Sequence, residues 1–540
     1  MKAKGTTGRV AEWAYRSRRD RADPWMETTL DALVTAPSGR TWKVPAFWAG
    51  GREWRVRFAP VEPGRHRVVT ECPDASDTGL AGVEGVLDVV RGRPGPTALD
   101  RHGAVRIAPG GRGFEHEDGT PFLWLGDTWW MLMSDRIRMA GFRRLTRDRV
   151  AKGFTVVQTV LGFPGDITPF RGIEDNEGGP PWLPGYRSIN PRHFDAVDPK
   201  IEHLVGAGLV PCILGSWGYH LVYMGEERME RHWRYLVARY GAWPVVWCLA
   251  GEGAMAYYLS ADRDADTARQ KAGWTRIARS VRAIDPWRRP LTMHPRRASW
   301  DDMDDPGILD FHMIQSGHFG MISCAGQVEA IAEARAGYPD RPVVVAEPPY
   351  EGHMGRNWAD VQRYGVWSVL LSGAAGFTYG AAAIFAANDR RRPTGARPEG
   401  GGYDAVFWDE AMSYPGSCQV GLAQRCLAGL PFHRFEAHPE WVEAPIRWGA
   451  ELYAPPFRVY CAGIPGEVRV AFIPGRYYHW DGPVFRALEP GVPYDAWRLD
   501  PVRGGLVALG PVRPAPDGSW QTPILPLLQD WVFILRRRRP

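Results

Sequence analysis

The chain has 540 residues, enough for two to four domains at roughly 100–200 residues each, and its 44% hydrophobic and 24% charged content belongs to globular protein with a large core. With 66 basic against 61 acidic side chains the net charge is only +5, too balanced to indicate a nucleic-acid partner, and the terminal run Arg536–Arg539 reads as a solvated tail. No stretch approaches the ~18 apolar residues of a membrane span, so no membrane partner is expected. The first eight residues lack the ~7–15-residue apolar core of a signal peptide, so a cytoplasmic location is expected unless a leader has been removed.

Residues 1–95 alternate apolar and polar positions between turn signals, as in Trp42–Trp48, Glu53–Phe58 and Arg65–Thr70, with Gly50-Gly51 and Pro63-Gly64 between them. That pattern predicts an all-β sandwich. Its exposed aromatics could bind glycan, although packing onto the next domain is the simpler expectation. The Pro- and Gly-rich stretch Arg91–Pro96 then reads as a linker.

From about residue 112 apolar strands alternate with amphipathic helices, the pattern of βα units around a parallel sheet. Eight strands are predicted, at Phe122–Gly126, Thr155–Leu161, Val210–Gly215, Val245–Ala250, Pro290–His294, Phe311–Gln315, Val343–Ala346 and Phe377–Gly380. Helical patterns lie between most of them, at Arg231–Tyr240, Ala268–Ile284, Val328–Ala336 and Trp358–Leu371. This number and length fit a (β/α)8 TIM barrel over residues 96–432. A doubly wound sheet would usually show a Gly-rich phosphate turn after its first strand, and none is present. Short alternating segments return over 433–540, among them Glu467–Phe472 and Asp530–Leu535, so a second β-sandwich is expected to close the chain. The predicted fold class is therefore α/β, a TIM barrel flanked by N-terminal and C-terminal β-sandwich domains.

The chemistry belongs to the strand ends. Pro244-Val-Val-Trp-Cys-Leu-Ala-Gly-Glu252 and Pro342-Val-Val-Val-Ala-Glu347 each deliver a carboxylate where a parallel strand opens into active-site loops. Cleavage of a glycosidic bond needs two such groups with divided pKa values, one acid to protonate the leaving oxygen and one ionised carboxylate at the anomeric carbon. Glu252, approached by Trp247 and the Tyr257-Tyr258 pair, is the candidate acid. Glu347, followed by Pro348-Pro349-Tyr350, is the candidate nucleophile, with Tyr350 as a donor to it. A Glu at a strand end is often a helix cap or an ion-pair partner, and only the occurrence of both on strands 4 and 7 favours catalysis.

That layout resembles the retaining glycosidase clan A of (β/α)8 barrels. The finer similarity is to the apiosidase-like glycoside hydrolases, carried by Gly119–Trp130 on strand 1, Arg149–Gln158 into strand 2, Trp247–Glu252 and Val345–Gly352, with Trp408–Gly416 and Asp530–Val532 as later landmarks. The resemblance implies retaining, double-displacement cleavage of a terminal glycosidic bond, an oligosaccharide or glycoside as substrate, and a smaller furanose or a branched sugar such as apiose as a compatible target. Two positions depart from the wider clan: Gly251 stands where many members have Asn beside the acid/base, and Gln158 where they commonly carry an Arg that orients the nucleophile.

Other strand-end residues are expected to bind substrate. Asp127 can accept two hydroxyl hydrogen bonds and Trp129 or Trp130 can stack on a sugar, the alternative being a helix N-cap Asp with core tryptophans. Gln158, Trp217, His220, His294, Gln315 and His318 are further candidates at the ends of strands 2, 3, 5 and 6, and Tyr379 on strand 8 is a candidate aromatic platform. The 25 tryptophans favour carbohydrate only weakly, because they also fill cores. The seven cysteines include no CxxC, and Cys212 and Cys248 lie in apolar runs, so no disulfide framework, metal or cofactor is expected. A metal-dependent hydrolase built on Asp127, His220, His294, His312 and His318 is the alternative from another class, disfavoured by spacing. A glycan-binding protein with a degenerate barrel is the third.

Overall fold

The computed structural model describes residues 1–398, 405–443, 458–475 and 482–538. Loop residues 399–403, at the end of the long segment after the eighth predicted strand, and Arg539 of the basic tail lie outside them.

At the N-terminal end a five-stranded sheet and a three-stranded sheet face each other. The strand Ala11–Arg16 shows how the alternation works: Ala11, Trp13 and Tyr15 turn inward while Glu12, Ala14 and Arg16 face out. Their inner faces share a core with Val34, Val56, Val68 and Leu87. The aromatics of this unit look both ways. Trp13 and Trp54 fill its interior, whereas Phe47 packs edge-on against Tyr235 of the barrel helix Glu226–Tyr240. Arg57, sandwiched between the rings of Phe47 and Trp243, reaches across to Asp198 at 2.5 Å and to the Arg239 carbonyl at 3.0 Å.

The central unit is a ring of eight parallel strands: β1 (Trp124–Thr128), β2 (Val156–Val160), β3 (Val210–Leu214), β4 (Val246–Cys248), β5 (Leu291–Thr292), β6 (His312–Gln315), β7 (Val343–Glu347) and β8 (Gly376–Tyr379). Ladders run from β5 through β4, β3 and β2 to β1, then through β8 and β7 to β6. The seam between β5 and β6 is joined by single bonds, with the Thr292 hydroxyl donating to the Phe311 carbonyl at 2.8 Å and the Asp310 amide to the Leu291 carbonyl at 2.9 Å. Every strand is buried throughout, as parallel strands wrapped by helices must be.

Strand 1 starts two residues later than expected. Phe122 pairs instead with Phe114 in a small antiparallel sheet below the barrel, and the chain re-enters at Trp124. On β7 and β6 the register slips between Ile314 and Gln315, so that Gln315 comes to lie opposite Glu347. Bulges of this kind re-aim side chains next to active sites.

The C-terminal residues form a six-stranded and a three-stranded antiparallel sheet over a shared core of Trp441, Ile473, Phe485, Tyr494 and Phe533. Tyr460 and Phe472 pack onto Tyr364 of the helix Ala359–Leu370, and the Tyr364 and Tyr460 hydroxyls meet at 2.8 Å. The fold is thus a TIM barrel with a β-sandwich at each end.

Candidate active site

At the C-terminal ends of the barrel strands a cavity of about 220 Å³ is lined by Glu252, Glu347, Trp130, Trp217, Gln315, His318 and Tyr350, with further residues of the strand-end loops around them. Glu252 follows β4 in a left-handed backbone conformation, φ +46°, which a Glu adopts only when its surroundings enforce it. Both its oxygens are held: the Trp217 indole N–H donates to Oε2 at 3.0 Å and the Gln315 amide to Oε1 at 2.8 Å. Gly251 explains how Trp217 comes so close. A Cβ there would stand 2.2 Å from the indole Cε3, so the position beside the acid has no room for a side chain.

Glu347 ends β7 between two imidazoles, with His294 Nε2 at 3.3 Å from Oε2 and His318 Nε2 at 3.2 Å from Oε1. The Tyr350 backbone N–H donates to His318 Nδ1 at 3.1 Å, so a neutral His318 carries its proton on the nitrogen that faces the carboxylate. The Tyr350 hydroxyl also bonds Glu347 and accepts from the Trp130 indole at 3.1 Å. Trp130 in turn stands edge-on to His294, with ring centres 5.1 Å apart. From β2, the Gln158 amide donates to the Ala346 carbonyl at 3.0 Å and so fixes the backbone one residue before Glu347.

The two carboxyls are driven in opposite directions. Burial, then the negative charge of Glu347, pushes Glu252 up to about 8, against the opposing pull of Gln315 and Trp217. Burial would raise Glu347 as well, but the His294 and His318 imidazoles set against its two oxygens override it and hold this carboxyl well below the usual carboxylate range. The surroundings therefore favour the protonated form of Glu252 and the ionised form of Glu347. One protonated acid and one ionised carboxylate facing a common cavity can donate a proton to a leaving oxygen and stabilise or attack positive charge at carbon.

Residues 108–434 match the family described as apiosidase-like, catalytic domain. The chain belongs to the apiosidase-like family of glycoside hydrolases. Residues 9–73 match a domain of unknown function, DUF5060. Among solved structures, a protein described as a glycoside hydrolase is similar at a TM-score of 0.62 and 20% identity, over 82% of this chain and 98% of that one. A family 5 glycoside hydrolase from Bacteroides vulgatus is similar at 0.62 and 19%, over 82% and 95%. A further Bacteroides vulgatus protein, provisionally described as a glycoside hydrolase, is similar at 0.70 and 16%, over 99% and 100%. At these identities the likeness is one of fold, and no curated protein matches the sequence. As a glycoside hydrolase the protein acts on a carbohydrate substrate.

Five of the residues expected to bind sugar lie on the cavity: Trp130, Trp217, Gln315, His318 and Tyr350. His294 and Gln158 stand behind it, one against Glu347 and the other against its backbone. Four others do not reach it. Asp127 points outward to the helix Met139–Lys152, where Arg149 Nε donates to Oδ2 at 2.6 Å and the Trp129 indole at 2.7 Å, so Asp127 and Trp129 satisfy each other inside the wall. Tyr379, also outward, lies beneath the Arg149 guanidinium and donates to Glu351 Oε2 at 2.6 Å. His220 is enclosed among Phe163, Tyr186 and Tyr219, bonds the Tyr186 hydroxyl at 2.9 Å, and is pushed down to about 3 by burial. His312 pairs with Ser299 at 3.0 Å beneath Tyr338, so Asp127, His220, His294, His312 and His318 do not converge on one point.

Sequence reasoning passed over Asp166, His353, Phe385 and Arg397, which line the cavity together with Tyr258 of the pair expected near Glu252; Trp247, expected there too, points away and donates its indole N–H to Asp285 at 3.0 Å. The segments Gly162–Ser188 and Ala383–Tyr403 stand out in the sequence as long, Gly- and Pro-rich loops, which was the one available signal for Asp166, Phe385 and Arg397.

Proposed function

We propose that the protein is a retaining exo-glycosidase in which Glu347 attacks the anomeric carbon and Glu252 first protonates the leaving oxygen and then takes a proton from water. The observation that carries this reading is the division of protonation across one cavity: Glu347 anchored ionised by His294, His318 and Tyr350, Glu252 kept protonated by burial and by Glu347 itself. In the first step the Glu347 oxygen forms an ester with the sugar as the glycosidic bond breaks, and the Glu252 proton leaves with the aglycone. Loss of negative charge on Glu347 then removes one cause of the raised Glu252 pKa, which suits Glu252 to act as base in the second step.

Glu347 is the second cause of the raised Glu252 pKa, so the two carboxyls act on each other across the cavity, as a double displacement needs. A furanoside or other small terminal sugar, as the apiosidase-like resemblance implies, suits a cavity smaller than the ~300–1,000 Å³ of sites for drug-sized ligands. In this scheme Trp130 and Tyr350 bound the sugar on the β1 and β7 sides. A screen of chromogenic furanosides and pyranosides, with the first-formed anomer read by NMR, tests the mechanism. Retention is expected, and an inverted product would remove Glu347 as nucleophile.

A further inference from the structure

The cavity has a second polar group besides the glutamate pair. Asp166, from the loop after β2, and Arg397, from the loop after β8, both line it and meet at 3.4 Å from Oδ2 to Nη1, with Tyr258 hydrogen-bonded to Asp166 and His353 beside it. Three features show that this corner is built and not incidental. Asp166 takes a left-handed φ of +59°. The residue before it, Gly165, lies so close to Trp217 that a Cβ would fall 2.7 Å from the indole ring, and the Trp217 amide donates to the Phe163 carbonyl at 2.8 Å. The loop carrying Asp166 is therefore pressed onto the same indole that donates to Glu252. On the other loop, Arg136 bonds the Ala387 carbonyl at 3.3 Å and the Thr394 hydroxyl at 2.9 Å, tying the segment that leads to Arg397 to the loop after β1.

We propose that Asp166 and Arg397 together are the specificity determinant of the site, a paired acceptor and donor that reads adjacent hydroxyls on the terminal sugar. This rests on the glycosidase reading above. The chemistry suits it: a sugar hydroxyl is both donor and acceptor, a carboxylate accepts and a guanidinium only donates, so vicinal hydroxyls satisfy both members of the pair at once. Neither residue is needed for the bond-breaking step, which the glutamates carry. Because the two come from different loops, the pair also ties the loops together across the pocket.

The test uses the 4-nitrophenyl glycoside that the wild-type protein hydrolyses, together with its monodeoxy analogues. Asp166→Asn and Arg397→Gln are expected to lower kcat/KM on the parent glycoside about 10- to 100-fold, the worth of a hydrogen bond to a charged group. On one monodeoxy analogue, the same for both variants or its vicinal neighbour, wild type and variant should become equal. Circular-dichroism melting of both variants separates misfolding from lost recognition. Equal losses on every analogue, or no loss in either folded variant, would overturn the proposal. Failure of the glycosidase reading shows separately, as turnover surviving in Glu347→Gln.

Discussion

Two groups of carboxylates sit at the strand ends of this barrel, and only one of them faces open space. On the β1 and β8 side, Asp127 is closed by Arg149 and Trp129, and Glu351 is closed by the Tyr379 hydroxyl and by the Gly416 amide at 2.9 Å, at the start of the helix Pro415–Ala428. On the β4 and β7 side, Glu252 and Glu347 are held by amide, indole and imidazole groups and still line a cavity. The contrast lies in the partners. Arg149 is a permanent cation that neutralises Asp127 outright, whereas Glu252 has neutral donors and an anion for a neighbour, so its proton is retained and available.

Removing each carboxylate in turn separates the two groups most strongly. Glu347→Gln is expected to lower kcat by more than about 10⁴-fold and Glu252→Gln by about 10²–10⁴-fold, both with melting temperatures close to wild type. Asp127→Asn should do the reverse, costing up to about 3–5 kcal/mol of stability by leaving the fully buried Arg149 with the partly exposed Asp148 as its remaining charge partner, as read by denaturant unfolding. Were Asp127→Asn to keep full stability and lose turnover, the division into structural and catalytic carboxylates would be wrong.

A smaller effect sharpens the geometry. Gly251→Ala places a methyl 2.2 Å from the Trp217 ring, so the indole must move off Glu252, at a cost of about 1–3 kcal/mol from overpacking. Its activity loss should be matched by Trp217→Phe, and the two together should lose little more than either alone. The smallest effect is on pH. The acid works only while protonated, so kcat/KM should fall as pH rises through about 8. The Trp217 and Gln315 donors favour the ionised form, so Trp217→Phe or Gln315→Met moves that falling limb to higher pH. A limb that moves lower, or not at all, would mean another group titrates.

How much of this was legible in the sequence follows from burial. Apolar runs ending in Glu252 and Glu347 mark the strands and their open ends, and the β5 run Pro290–His294 is legible although only Leu291 and Thr292 make ladder bonds. What an apolar run does not reveal is which side chains face the barrel interior, because both faces are buried and alternation vanishes. Asp127 and Tyr379 therefore looked like Glu347 in sequence, and only the distant Arg149 shows that they point the other way. The Gly at position 251 reads in the sequence only as a departure from the clan, whereas the structure makes it the clearance for an indole. Asp166 and Arg397 escaped notice because each is one charged residue in a long loop, and their meeting depends on how the loops after β2 and β8 fold.

The most direct measurement is mass spectrometry of the protein after incubation with a slow-releasing fluorinated glycoside of the sugar it cleaves. A single adduct on the peptide containing Glu347, absent in Glu347→Gln, is the expected result. An adduct on any other residue would contradict the assignment of Glu347 as the attacking group.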